Sequence, residues 1–167
     1  VRRASSRSIS VEDPRGIEVR ELLVAHLAFT GFHSRPEDMH ALDLDELLDP
    51  SVTFFSYRMG DELVAVGALK QLDFSHAELK SMHVAEAARR RGIGREMLDH
   101  LLRMAHERGF DRVSIETGAQ PAFVAARALY ASAGFTSCGP FGQYVLSAHS
   151  TFMTLELTPA GDGRAAN

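Results

Sequence analysis

The chemistry of this chain gathers at Arg89-Arg90-Arg91-Gly92-Ile93-Gly94-Arg95, a basic turn with two glycines that leads into a helical apolar period. Glycine lets the backbone approach a ligand closely, and a helix beginning here turns its first unpaired N–H groups outward. The helix dipole adds roughly half a positive charge at that end, and Arg89, Arg90 and Arg91 stand beside it. Such a turn is a cradle for a pyrophosphate. Two common nucleotide patterns do not fit it. A dinucleotide fingerprint wants a third glycine where Met97 stands, and a phosphate loop wants Gly-Lys-Ser/Thr, which Gly92-Ile93-Gly94-Arg95 does not supply.

Other residues with chemical potential are read more plainly. His33 and His40 flank Glu37 and Asp38, a set open to a metal or an acceptor. Their spacing suits neither a helical i, i+4 pair nor a zinc knuckle, so they are expected to be solvated loop residues and no metal is expected. Strand alternation turns His83 away from Glu78 and makes it a core histidine, while His76 and His149 read as loop residues. Cys138 follows the last helix with no histidine partner in a recognisable arrangement for nucleophilic catalysis.

The elements that must position the turn follow from periodicity. Ser8 to Glu12 alternates as a short edge strand, broken by Asp13-Pro14-Arg15-Gly16. A helix is expected from Ile17 to about Gly31, with Val19, Leu22, Leu23, His26 and Leu27 on its apolar side. The segment 32–48 carries five carboxylates, two histidines and Pro36, with a short helical turn starting at Asp43 or Asp45 and stopping at Pro50. It reads as a mobile cover. Val52 to Met59 and Glu62 to Leu72 form a hairpin about Gly60-Asp61. A fourth strand runs from about His76 to Val84, with Glu78, Lys80, Met82 and Val84 on one face and Leu79, Ser81 and His83 on the other. Ile93, Met97, Leu98, Leu101, Leu102 and Ala105 stripe a helix over 92–108, capped by Gly109. Arg112 to Thr117 is a central strand, Pro121 to Ala133 a helix, and 135–137 with 150–157 a last hairpin across a long loop.

Length and composition narrow the class. At 167 residues the chain suits one domain, assigned to 8–157 with loose ends at 1–7 and 158–167. One cysteine excludes an internal disulfide, no run has the length and apolarity of a membrane span, and the basic start VRRASSRS has no apolar stretch behind it to act as a targeting peptide. A cytoplasmic setting is expected, with no membrane partner. A net charge of -4, with the cations concentrated in one turn, argues against nucleic acid as a partner.

Two separate motifs carry a family resemblance. Arg-x-x-Gly-x-Gly after a strand ending Met82-His83-Val84 resembles motif A of the GNAT acetyltransferase superfamily. Ala128-Leu129-Tyr130-Ala131-Ser132-Ala133-Gly134-Phe135 resembles that superfamily's later A-x-x-L-Y-x-x-x-G-F signature, and the likeness spans roughly Ser8 to Leu157. It implies an α/β (α+β) GNAT fold, a mixed and mostly antiparallel sheet of about six to seven strands with helices on both faces. It also implies acetyl-CoA as co-substrate, its pyrophosphate held by Arg89, Arg90, Arg91, Gly92, Ile93, Gly94 and Arg95. Met82, His83 and Val84 would border the cofactor, with a bulge that splays this strand and a backbone N–H that meets the oxyanion. Glu78 matches a glutamate used as general base in the lysine-acetylating branch; equally, it reads as a strand carboxylate paired with Lys80 or Arg112. Tyr130 matches the tyrosine that protonates the departing CoA thiolate, against the plainer reading of a core tyrosine with its hydroxyl tied off.

The resemblance departs at one place. Many relatives hold the cofactor with an asparagine seven residues before the motif tyrosine, where this chain has Phe123. The implied activity is direct transfer of acetyl to a primary amine, small molecule or peptide, in a ternary complex. The acidic run Glu37, Asp38, Asp43, Asp45 and Glu46 would favour a cationic acceptor. A homodimer is left open, and the alternatives are a non-catalytic acyl-CoA-binding or sensor module and a structural dimerisation domain.

Overall fold

The computed structural model describes residues 6–30 and 44–158. Most of the expected cover, including His33, Glu37, Asp38 and His40, lies outside the described residues, as do most of the ends read as loose. The described chain forms seven strands: β1 (Arg7–Val11), β2 (Val52–Met59), β3 (Glu62–Gln71), β4 (His76–Val84), β5 (Arg112–Gly118), β6 (Thr136–Ser137) and β7 (Ser150–Glu156). Three helices join them: α1 (Ile17–Thr30), α2 (Ile93–Glu107) and α3 (Val124–Ser132). A helical turn at 44–47 and 3-10 turns at Glu86–Ala88 and Pro121–Phe123 complete the set.

One sheet holds all seven strands in the order β1-β2-β3-β4-β5-β7-β6. Only the β4–β5 pair is parallel; every other neighbour is antiparallel. The helices cover both faces. On one, the apolar stripe of α2 (Ile93, Met97, Leu98, Leu101, Ala105) packs with Tyr130 of α3 on Phe55, Val64, Leu69, Leu79, Val113 and Ile115. On the other, Val19 and Leu23 of α1, one turn apart, pack with Leu47 on Phe54, Val66 and Ala68. β1 is tied to α2 across that arrangement: the Arg7 guanidinium is 2.6 Å from Glu96 in the first turn of α2, and Tyr57 donates its hydroxyl to the same carboxylate.

The alternation expected along β4 holds for only part of its length. Ala68 pairs with Lys80 and Val66 with His83, so β4 carries one residue more than β3 across this stretch. Ser81 takes the extra place with φ of 51°, a left-handed conformation unusual for serine. Parity therefore reverses at Ser81. Ala77 and Leu79 face α2 before it, Met82 and Val84 face α2 after it, and His83 moves to the α1 face that Glu78 occupies. The sequence expectation that His83 opposes Glu78 is corrected by this bulge. His76 is likewise no loop residue: it opens β4, is buried, and contacts Ser114 Oγ through Nε2 at 2.7 Å.

The end of β5 is closed by packing. Phe123 is buried over Gly118 and meets Phe29 of α1 edge-to-face with ring centroids 5.2 Å apart. A Cβ built at Gly118 would stand far inside contact distance of the Phe123 ring and only 2.5 Å from Gln120 Oε1. Gly118→Ala is therefore expected to destabilise the protein by about 1–3 kcal/mol through overpacking. Thermal melting should show a loss of several degrees, and an unchanged midpoint would mean the ring swings aside freely.

Candidate active site

The bulge has a second effect, on the far side of β4. Pairing with β5 runs from His76↔Arg112 to Leu79↔Ile115 and stops there, although both strands continue. β5 keeps its partner β7 to Gly118, so it is β4 that swings away. The parted strands open a cavity of about 530 Å³ lined by both strands, α1, α3 and the loop before β7. The β5-facing backbone of 80–84 is left without a strand partner.

Beyond the end of β4 lies the basic turn, linked to this opening by Arg89, which stands over the cavity-lining Phe29 ring. Arg90 and Gly92 have φ of 58° and 80°, which folds the chain tightly ahead of α2. No backbone acceptor among the described residues takes the amides of Arg90 through Arg95; the first helical bond is Glu96 N–H to Gly92 O at 3.0 Å. Unpaired amides at a helix N-terminus are the donors that an anion would take. Gly94 serves it by proximity: a Cβ there would stand 3.5 Å from Val84 and Leu129, an ordinary contact that a larger side chain would exceed. The arginines diverge. Arg89 bonds Val84 O at 3.3 Å and lies over the Phe29 ring, Arg95 pairs with Asp99 at 2.8 Å, and Arg91 reaches the Met59 sulfur at 3.7 Å.

Further in, the cavity meets two residues singled out from sequence. Glu78 is 3 % exposed, and Tyr144 donates its hydroxyl to Glu78 Oε1 at 2.5 Å. Lys80 Nζ stands 3.7 Å from the same oxygen and 2.8 Å from Glu46 Oε1. Burial pushes the Glu78 carboxyl above the usual range, against the pull of Lys80 and the Tyr144 hydrogen bond. Burial acts to lower the Lys80 ammonium, but Glu78, Glu46 and Tyr144 outweigh it and hold it above its ordinary value. Of the two partners named for Glu78, Lys80 is beside it and Arg112 is not; Arg112 reaches His76 Nδ1 at 3.2 Å. Tyr130 lines the same cavity, 4 % exposed, and burial alone raises its phenol, which makes no hydrogen bond among the described residues.

Two residues that sequence reasoning passed over complete the lining. His26 of α1 meets His83 with Nδ1 to Nδ1 at 3.3 Å and rings edge-to-face. Both rings are held neutral, each at about 4, chiefly by burial, with His83 adding to the effect at His26 and Arg89 at His83. Neutral rings joined this way take opposite tautomers, so one Nε2 is a bare acceptor and the other a donor. A histidine inside the apolar stripe of α1 was the available signal. Tyr144 left none, because it meets Glu78 across 66 residues from a loop with no periodicity.

Unpaired amides at a helix terminus, a strand gap, a buried carboxyl and a phenol with no hydrogen bond among the described residues are groups that transfer from a thioester can use. A family model described as the acetyltransferase (GNAT) family matches residues 19–135. The chain belongs to the GNAT family. It is 42% identical over 149 residues to the uncharacterized N-acetyltransferase YsnE of Bacillus subtilis, covering 89% of this chain and 99% of the relative. It is 42% identical over 150 residues to the uncharacterized N-acetyltransferase YedL of Escherichia coli, covering 90% and 94%. A crystal structure of a GNAT family acetyltransferase from Elizabethkingia anophelis with acetyl-CoA bound superposes with a TM-score of 0.69 at 18% identity, over 90% of this chain and 98% of that one. The protein is thus an acyltransferase enzyme with the mixed sheet and two-sided helices of the GNAT fold. No helix among the described residues is long and apolar enough to cross a membrane, and no metal-binding cluster occurs among them.

The histidine pair gives this GNAT site a pH signature. An unfolded chain titrates these rings near 6.5 and the folded one near 4, so below 6.5 the unfolded state binds more protons. Their stabilising contribution is full above 6.5 and is lost as pH falls through 4. Glu78, raised by burial, acts with the opposite sign, so the difference between proteins is the readout. Urea midpoints should fall more steeply from neutral pH to about pH 4.5 in the wild type than in His26→Gln/His83→Gln, and parallel slopes would mean the rings are solvated.

Proposed function

We propose that this GNAT enzyme binds acetyl-CoA with its pyrophosphate on the amides of Arg90 through Arg95 and passes acetyl directly to a primary amine in a ternary complex. The observation that carries the reading is the place where β4 leaves β5, between an amide-lined helix terminus and a cavity shared by Glu78 and Tyr130. An acetyl-pantetheine arm entering from the basic turn would lie in the gap and complete the interrupted pairing with the free edge of β4. Phe123 stands where many relatives have an asparagine, and its ring on Gly118 makes that end of the gap an apolar wall. The arm is gripped there by contact area instead of a side-chain amide.

The proton steps follow from the side chains. An ammonium acceptor first loses a proton to Glu78, whose basicity burial raises, directly or through a water. The nitrogen lone pair then forms a bond to the thioester carbonyl carbon, and the electron pair moves to the oxygen, which meets a β4 amide beside the bulge. As the C–S bond breaks, the thiolate takes the Tyr130 proton, and the phenolate recovers one from the new amide nitrogen. One proton leaves to solvent per turnover. A phenol as buried as Tyr130 stays protonated until the thiolate forms, which suits an acid.

Two variants separate binding from chemistry. Tyr130→Phe should lower kcat by roughly 10- to 1000-fold with acetyl-CoA affinity nearly intact. An equal kcat would remove Tyr130 as the acid. Gly92→Val should abolish acetyl-CoA binding by calorimetry, because a side chain at φ of 80° forces the turn to refold and turns its amides away. Retained affinity there would place the pyrophosphate elsewhere.

A further inference from the structure

Beside Glu78 the cavity borders a smaller one of about 340 Å³, lined by β3, β4 and the loop before β7. The two spaces share Glu46, Glu78, Lys80 and Tyr144. The smaller one adds Lys70, which the strand register sets directly opposite Glu78. Lys80 is engaged by Glu46 at 2.8 Å, whereas Lys70 approaches that carboxylate only to 3.7 Å, beyond hydrogen-bonding length. Lys70 is also the more open of the two, at 29% side-chain exposure against 13%. Among the described residues its ammonium makes no hydrogen bond, only the longer ion pair with Glu46 and a charge interaction with Asp49.

Two ammoniums and two carboxylates cancel at rest. They stop cancelling when Glu78 takes a proton from the amine, because Glu46 is then the one charged carboxylate that lines the compartment among the described residues, with Asp49 acting on Lys70 from outside it. An acceptor with a cationic tail would add to that surplus in a confined space, and one carrying an anion would remove it. The acidic run that suggested a cationic acceptor does not oppose this: Glu46, the one member of it lining the cavity among the described residues, is already paired with Lys80.

Resting on the amine-transfer reading above, we propose that the acceptor is a small amine bearing a carboxylate, an amino acid or a close analogue. Its nitrogen lies at Glu78 in the larger cavity and its carboxylate at Lys70, with Lys80 alongside, in the smaller one. Lys70 is a specificity residue and takes no part in the bond-making steps.

The test compares matched acceptors by thiol release from acetyl-CoA: the common L-amino acids, their carboxamides, and alkylamines. At least one amino acid should exceed its carboxamide in kcat/KM by about tenfold or more, the scale of one charge-assisted contact. Lys70→Gln, at the rim and away from Tyr130 and the basic turn, should erase that preference by raising KM for the acid; any change it makes through Glu78 falls on acid and carboxamide alike, and acetyl-CoA binding stays unchanged. Carboxamides or alkylamines turned over as well as the acids, or a preference that survives Lys70→Gln, would overturn the proposal. Thiol release from none of them, with acetyl-CoA still bound by calorimetry, would instead bring down the amine-transfer reading on which it stands.

Discussion

A single surplus residue in β4 governs most of what is distinctive in this molecule. Had β4 run straight, it would have stayed hydrogen-bonded to β5 along its length, and the sheet would have been closed where the cavity now lies. Placing Ser81 in a left-handed conformation bends the strand away after Leu79. The cost of that conformation, on the order of 1 kcal/mol or more, is offset by the packing of Met82 and Val84 under α2 once the alternation has reversed. The same reversal carries His83 across to Glu78's side of the sheet. Strand gap, exposed backbone and the composition of the lining are thus one event seen from three directions.

The position of α2 depends on the same event. Val84 ends β4 close enough to Gly94 that the first turn of the helix is seated against the strand, with Leu129 of α3 against the same position. Helix terminus and strand gap therefore keep a fixed relation, which a phosphate-bearing ligand with a long thioester arm requires. Preorganisation of this kind is set by backbone contacts more than by the arginines. Those lean on Val84, Asp99 and Met59 and leave the amides as the constant element.

The amphipathic elements could be read directly from the amino-acid order. The stripe of α2, the hairpin about Gly60 and the span of β4 appear at the expected places because period and turn chemistry are local properties. The basic turn was legible for the same reason: glycines and arginines are adjacent in the chain. What escaped was non-local. A bulge is a mismatch between two strands, and neither strand's sequence contains it, so strict alternation sent His83 to the wrong face. Tyr144 was hidden because a loop carries no period, and His26 because a polar residue in an apolar stripe is informative only once its partner is known. Phe123 was noticed as a departure, but its role as a lid on Gly118 needed the three-dimensional contact.

The clasp between Arg7, Tyr57 and Glu96 has a bearing on ligand recognition from a distance. Glu96 sits in the first turn of α2, two residues beyond Gly94, where a bare carboxylate would repel an incoming diphosphate. The outermost strand of the sheet supplies the cation that masks it, and a phenol from β2 holds its second oxygen. Loss of that strand would unmask a negative charge at the helix terminus proposed to take the pyrophosphate. The sheet edge thus sets the charge at the first turn of a helix on the face of the sheet. Added salt would weaken this partly exposed pair and the ligand's own attraction together, so the two effects are coupled through ionic strength.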